Sequence, residues 1–169
     1  ANEMEWHTAP KLGKKQVFLL DDYYNAEKKK DIKGVEYAYH YKWPEMYNNG
    51  FSFLGNVITA NGLQTKTLSE APTLSNLKNA SIYMIVDADN IGDNPTPNYM
   101  SDKAATEIYN WVKAGGVLVL FHNDKPNADF TAINKLSDLF GIHFNEDTHN
   151  KVVGTNYVGG KIDVPAGHQ

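Results

Sequence analysis

The side chains best suited to chemistry in this sequence are acids and amides placed directly behind short apolar runs. Asp21 and Asp22 follow Val17-Phe18-Leu19-Leu20, Asp87 and Asp89 follow Ile82-Tyr83-Met84-Ile85-Val86, and Asn123 and Asp124 follow Val117-Leu118-Val119-Leu120-Phe121 with only His122 between. Tyr23 and Asn25 lie close behind the first pair. Carboxylates gathered in a cleft can hold a hard cation, position sugar hydroxyls, or act as general acid and base where burial drives their pKa values apart. The residues alone do not rank these. The plainer alternative is that Asp and Asn here cap helices and fill turns, which both do readily.

Other chemistries are removed by composition. The chain has no cysteine, so disulfides, thiolate metal sites and a Cys nucleophile are excluded. All 16 basic residues are lysine, which leaves no guanidinium fork for bidentate phosphate or carboxylate recognition. Net charge is −4 and the lysines are scattered apart from Lys28, Lys29 and Lys30, read as a solvated loop, so no basic stripe follows a nucleic-acid backbone. No apolar run approaches the length of a membrane span. None of the six histidines has H-E-x-x-H spacing. Asp87-Ala88-Asp89-Asn90-Ile91-Gly92 begins like a calcium loop but has Ile91 where an oxygen ligand is needed. Gly50-Phe51-Ser52-Phe53-Leu54-Gly55 lacks the spacing of a nucleophile elbow. The expectation is no cofactor, no metal, and neither nucleic acid nor membrane as partner. The start at Ala1 suits a cleaved secretion signal or a cut boundary, and a periplasmic or secreted location is expected.

The elements that must position the acids follow from hydrophobic spacing. The runs at 17–20, 82–86 and 117–121 predict strands buried on both faces, the last of them central, and Leu63 to Leu68 predicts a further strand. Helical spacing is expected from Glu45, with Met46, Gly50, Phe53, Leu54, Val57 and Ile58 on one side and Asn61-Gly62 as the stop. Pro72 and Thr73 open a short helix through Leu77. Ser101 caps a helix bearing Ala104, Ile108, Trp111 and Val112 and closed by Gly115-Gly116, and a last helix carries Phe130, Ile133, Leu136 and Phe140 up to Gly141. Tyr37, Tyr39, Tyr41 and Trp43 recur at every second position, so an extended segment would set them on one face, for stacking on sugar rings or for ordinary packing.

Strands alternating with helices imply an α/β fold: an open, mostly parallel sheet with helices on both faces. One domain over 1–169 is expected, with 1–15 a polar lead-in and 151–169 a weakly structured end, and with the fold cut short at its C-terminus. Parallel strands deliver Asp21, Asp87, Asp89, Asn123 and Asp124 to one carboxyl edge, where open α/β sheets bind ligands.

Trp111-Val112-Lys113-Ala114-Gly115-Gly116-Val117-Leu118-Val119-Leu120-Phe121-His122 resembles the helix, double glycine and strand that lead to the nucleophile elbow of class I glutamine-amidotransferase-like domains, including their ThuA-like relatives. Asp22-Tyr23-Tyr24-Asn25-Ala26-Glu27, Ile85-Val86-Asp87-Ala88-Asp89, Pro97-Asn98-Tyr99 and Phe140-Gly141-Ile142-His143-Phe144-Asn145-Glu146 together resemble the accessory domain of bacterial unsaturated rhamnogalacturonyl hydrolases. The elbow position reads Phe121-His122-Asn123 and no Cys exists, so glutaminase chemistry is ruled out. The glycosidases in question work on a separate helical-barrel domain, for which this chain has no helical hairpins. The resemblance therefore implies a non-catalytic, carbohydrate-associated module of a pectin-degrading system, binding a glycan through Asp21, Tyr23, Asn25, Asp87, Asp89, Asn123 and Asp124 or docking a glycoside hydrolase catalytic domain. A hydrolase in its own right, using one of these carboxyls with His122 or His143, and a purely structural docking domain are the alternatives.

Overall fold

A computed structural model of the chain describes residues 16–123 and 127–146, together with the backbone of 152–153 and 156–157. Four strands, β1 (Val17–Asp21), β4 (Gln64–Leu68), β5 (Ile82–Val86) and β6 (Val117–Phe121), form an open sheet in the order β4-β1-β5-β6 with every neighbouring pair parallel. The chain leaves β1 toward one side to make β4, then crosses β1 to place β5 on the other side. The strand order therefore reverses between β1 and β5, and a crevice opens there at the carboxyl ends. Two short strands between β1 and β4, β2 (Lys28–Lys30) and β3 (Glu36–Ala38), pair antiparallel as an exposed hairpin. The three lysines read above as a loop are thus a strand, and Asp31 closes the turn by accepting from the backbone N–H groups of Lys33 and Val35, both at 2.8 Å. A second small hairpin joins β7 (Val152–Val153) and β8 (Asn156–Tyr157).

Helices cover both faces of the sheet. Because strand side chains alternate, Leu19, Tyr83 and Ile85 point to one side, where they pack with Leu77 of α2 (Leu74–Leu77), Ala104, Ile108 and Trp111 of α3 (Asp102–Lys113), and Ile133 and Leu136 of α4 (Phe130–Ser137). Leu20, Met84 and Val86 point to the other side and meet Leu54 of α1 (Ser52–Ala60), with Phe18, Trp43 and Phe51 around them. The helix starts are marked in the sequence and kept in the fold: Thr73, Ser101 and Asp129 each accept a backbone N–H of the first turn. A 3₁₀ turn at Asp138–Phe140 follows α4, and Gly141 ends it at φ 73°, a conformation glycine adopts without a Cβ penalty.

Three expectations are corrected. Helix α1 begins at Ser52 rather than Glu45, because Glu45 is used in a turn: its carboxylate takes the N–H groups of His40 and Lys42, and its carbonyl takes Ser52 N–H. Met46, counted on the apolar side of that helix, is 88% exposed, and so is most of Phe53. The aromatic stripe does not share a face, since His40 and Tyr41 take positive φ values of 69° and 58° and break the extended run. Trp43 turns inward to pack edge-on against Phe18 while its Nε1 donates to Lys66 O, whereas Tyr37 stays partly exposed on the hairpin. Finally, β6 is not central. Among the described residues it is an edge strand, as β4 is on the other side, and Val117 and Phe121 are 52% and 57% exposed. The leading segment 1–15 lies outside the described residues, as does nearly all of 151–169. Among the described residues no helix is long and apolar enough to cross a membrane.

Candidate functional site

The loop after β1 is folded by Asp21. Its Oδ2 accepts the N–H groups of Tyr24 (2.7 Å) and Asn25 (3.3 Å), turning the chain back across the strand end, while Oδ1 accepts the Tyr83 hydroxyl at 2.6 Å. Burial pushes this carboxyl up to about 6 even though all three hydrogen bonds and the nearby Lys42 ammonium favour the ionised form. Asn25 then ties the loop to the neighbouring strand, its Nδ2 donating to Val86 O and Asp87 O, both at 3.2 Å. Both residues are buried, with no polar atom left over. They build the crevice rather than line it.

Lys42 completes this scaffold, and nothing in its local sequence marks it. Its buried ammonium reaches Asp22 Oδ1 at 2.6 Å, Asn25 O at 2.5 Å and Asn25 Oδ1 at 3.1 Å, which uses all three of its donors. Asp89 is a third structural acid: Oδ2 accepts Ala26 N–H at 2.9 Å and Asn94 Nδ2 at 2.8 Å, and burial raises its pKa. Its Oδ1 is buried without a partner. Tyr23 packs edge-on against Tyr24 and offers its carbonyl to Asn98 Nδ2.

Asp87 differs from these. It sits at the end of β5 with φ 51°, a left-handed conformation uncommon outside glycine, and only 5% of its surface is exposed. Its Oδ1 has no partner, and Oδ2 has only a long 3.4 Å contact from Asn123 Nδ2. Burial pushes this carboxyl up to about 6 as well, with Asp93 and Glu27 adding to the rise and His40 opposing it. Asp87 is one of the residues around a largely apolar cup of about 270 Å³, together with Tyr41, Phe51, Val86, Phe121, His122 and Asn123. The cup lies on the α1 side of the carboxyl edge and joins the ends of β5 and β6 to the segment that holds Tyr41.

The walls of the cup are held in strained backbone. His40 and Tyr41 are consecutive left-handed residues, and with Asp87 they are the three such non-glycine positions among the described residues. Each costs on the order of 1–3 kcal/mol, so the surroundings must compensate. They do so partly by stacking, Tyr39 on His40 at 5.2 Å and His40 on Tyr41 at 4.1 Å between centroids, and partly through the 2.7 Å contact between His40 Nδ1 and Glu27 Oε1.

Of the two histidines considered as catalytic partners, His122 borders the cup but turns its ring away, and His143 stands elsewhere. The ring of His122 packs between Phe130 (4.6 Å) and Phe144 (5.1 Å) on the opposite face, hydrogen-bonded to the backbone of Asp129, and burial lowers its pKa, keeping it neutral. His143 is beyond α4, held by Asp138 at 2.8 Å. Of the expected site residues, then, Asp87 and Asn123 come together at the cup, Asp21, Asn25 and Asp89 form the frame behind it, Tyr23 packs beside that frame, and Asp124 lies outside the described residues. The residues missed are His40, Lys42, Phe51, Phe121 and Glu27. Only Phe121, at the end of a strand of alternating parity with Asn123, carried a usable signal. Among the described residues no group of three or more His, Cys, Asp or Glu is disposed to hold a metal ion. The chain matches no protein-family model, no curated protein and no solved structure.

Proposed function

We propose that this chain is a non-catalytic carbohydrate-associated module of a pectin (rhamnogalacturonan) degrading glycoside hydrolase system, and that the cup at its carboxyl edge holds one sugar unit of the glycan. The observation that carries the reading is Asp87, a buried carboxylate with one oxygen unpartnered and the other weakly bonded, beside a largely apolar cup with three aromatic rings from Tyr41, Phe51 and Phe121. A pyranose ring offers the complement: a C–H face for Tyr41, Phe51 and Phe121, and hydroxyl donors for the carboxylate. Rotation about χ2 presents either Asp87 oxygen, since that torsion is broad for Asp. The volume is just below the usual range for small-molecule pockets, which suits a single ring. The pectin context rests on the residue likeness to the rhamnogalacturonyl hydrolase accessory domain and to ThuA-like domains. A hydrolase acting through these carboxyls is less well supported, because the His122 ring is engaged between Phe130 and Phe144, His143 is held by Asp138 beyond α4, and the oxygens of Asp21 are already engaged.

Titration calorimetry with rhamnogalacturonan oligosaccharides tests the reading, on the full chain and on its Asp87→Asn and Phe121→Ala variants. Asn suits the test because it tolerates positive φ. Binding that falls at least tenfold in both variants supports the cup; binding unchanged in both refutes it. Turnover of unsaturated galacturonyl-rhamnose by the chain would replace this reading with the hydrolase.

One observation favours docking of the catalytic domain as a second role. On α1 itself Phe53 is 80% exposed, and Val117 of β6 is half exposed, leaving apolar side chains at the surface. Retention of the chain by an immobilised rhamnogalacturonyl hydrolase barrel, lost on Phe53→Ser with Val117→Ser, is the expected result.

A further inference from the structure

Resting on the reading of the cup as a sugar site, we infer that the cup discriminates by charge, accepting an uncharged sugar unit and turning away a uronate. The residues around the cup that carry polar groups are Asp87, Asn123, Tyr41 and His122, of which Asp87 alone carries a negative charge, and the carboxylates of Glu27 and Asp93 lie within electrostatic reach of Asp87. A uronate carboxylate placed against Tyr41 and Phe121 would face Asp87 in a site partly closed to water.

The described cations on the segments around the cup are already engaged. The chain contains no arginine. Lys42, the buried lysine of the crevice, has its three donors committed to Asp22 and Asn25. His40 is held by Glu27 through Nδ1. Lys29 lies over the Tyr39 ring on the exposed hairpin at 3.3 Å from its centroid. A neutral ring has no such conflict, since its hydroxyls can donate to Asp87. Two like charges about 6 Å apart in an effective dielectric of about 20 correspond to on the order of a hundredfold in affinity. Salt screening at the open mouth of the cup reduces this to roughly tenfold.

A matched pair of probes isolates charge from shape: galacturonic acid and its methyl ester, with methyl rhamnoside as a third, neutral ring. Affinities for the full chain at pH 7.5 are measured by ligand-observed NMR titration. The expected result is that the ester and the rhamnoside bind at least tenfold more tightly than the free acid. In Asp87→Asn the gap between acid and ester shrinks below threefold. In Asp93→Asn, an exposed change that leaves the cup wall intact, it shrinks by a smaller factor, so the inference stays testable if the first variant is unstable. Equal or tighter binding of the free acid overturns the charge discrimination while leaving the sugar site standing. Absence of binding by all three probes and by rhamnogalacturonan oligosaccharides overturns the sugar site and the inference with it.

Discussion

Asp21→Asn is the perturbation whose effect can be worked most fully. The Asp21 carboxyl is 2% exposed, accepts three hydrogen bonds, and is nonetheless raised from the ordinary 3.8 to about 6 by burial. Its folded pKa therefore lies above its unfolded one, and between pH 4 and 6 the native state binds more protons than the unfolded state. Stability must fall as pH rises through that window, with the full cost present above about pH 6. At 1.36 kcal/mol for each pH unit the cost is about 3 kcal/mol. Asparagine keeps an acceptor for Tyr24 N–H and Asn25 N–H, and its amide can donate to a rotated Tyr83 hydroxyl, but it carries no charge to desolvate. Urea unfolding of both proteins from pH 4 to 7.5 is the assay. The stability of Asp21→Asn relative to the parent should climb by roughly 2.4 kcal/mol across the range, most of it below pH 6.5, the remainder of the cost falling below pH 4. Asp87 titrates in the same range in both proteins, so the difference between the two curves isolates Asp21. A pH-independent difference would refute the claim that Asp21 is ionised at a cost in the folded chain.

Lys42→Met removes the ammonium that bridges Asp22 and Asn25, leaving a partly buried carboxylate and two buried oxygens without their donor, and should cost about 3 kcal/mol in urea unfolding at pH 7.5. A loss below 1 kcal/mol would show that the strap is not structural. Gly116→Ala places a β-carbon against the Trp111 indole, which is itself packed on the core edge-on to Tyr83 at 6.4 Å, so about 2 kcal/mol of stability should be lost, read as a lowered thermal midpoint. An unchanged midpoint would mean the indole can give way.

The parts of the fold that depend on neighbours in sequence were legible without the structure. Short apolar runs behind polar segments predict β1, β5 and β6, and the capping residues Thr73 and Ser101 with the stop at Gly141 bracket their helices within a residue. These signals are local: alternation, capping and left-handed glycine each act over a few residues. Where one side chain served two roles, the pattern misled. Glu45 begins a stretch with helical spacing, but its carboxylate is worth more to the N–H groups of His40 and Lys42 in a turn, and α1 starts late.

The carboxyl edge shows where sequence alone runs out. That Asp21, Asp87 and Asn123 emerge on one edge follows from parallel strands, and parallel strands follow from alternation of strand and helix. Which of those acids is spent on the frame and which is left for a ligand does not follow, because it depends on partners far along the chain. Asp21 is closed off by Tyr83, Asp22 by Lys42, and one oxygen of Asp89 by Ala26 and Asn94, while Asp87 meets only a distant Asn123 amide. The order β4-β1-β5-β6 likewise placed β6 outside and opened the Phe121 wall, although its apolar run reads like that of a buried strand. Sequence determined the elements and the edge they share, since both rest on short-range sterics and hydrophobic period. Only tertiary structure decided which carboxylate is left under-bonded, since hydrogen-bond partners and burial are set by strand order and loop crossing.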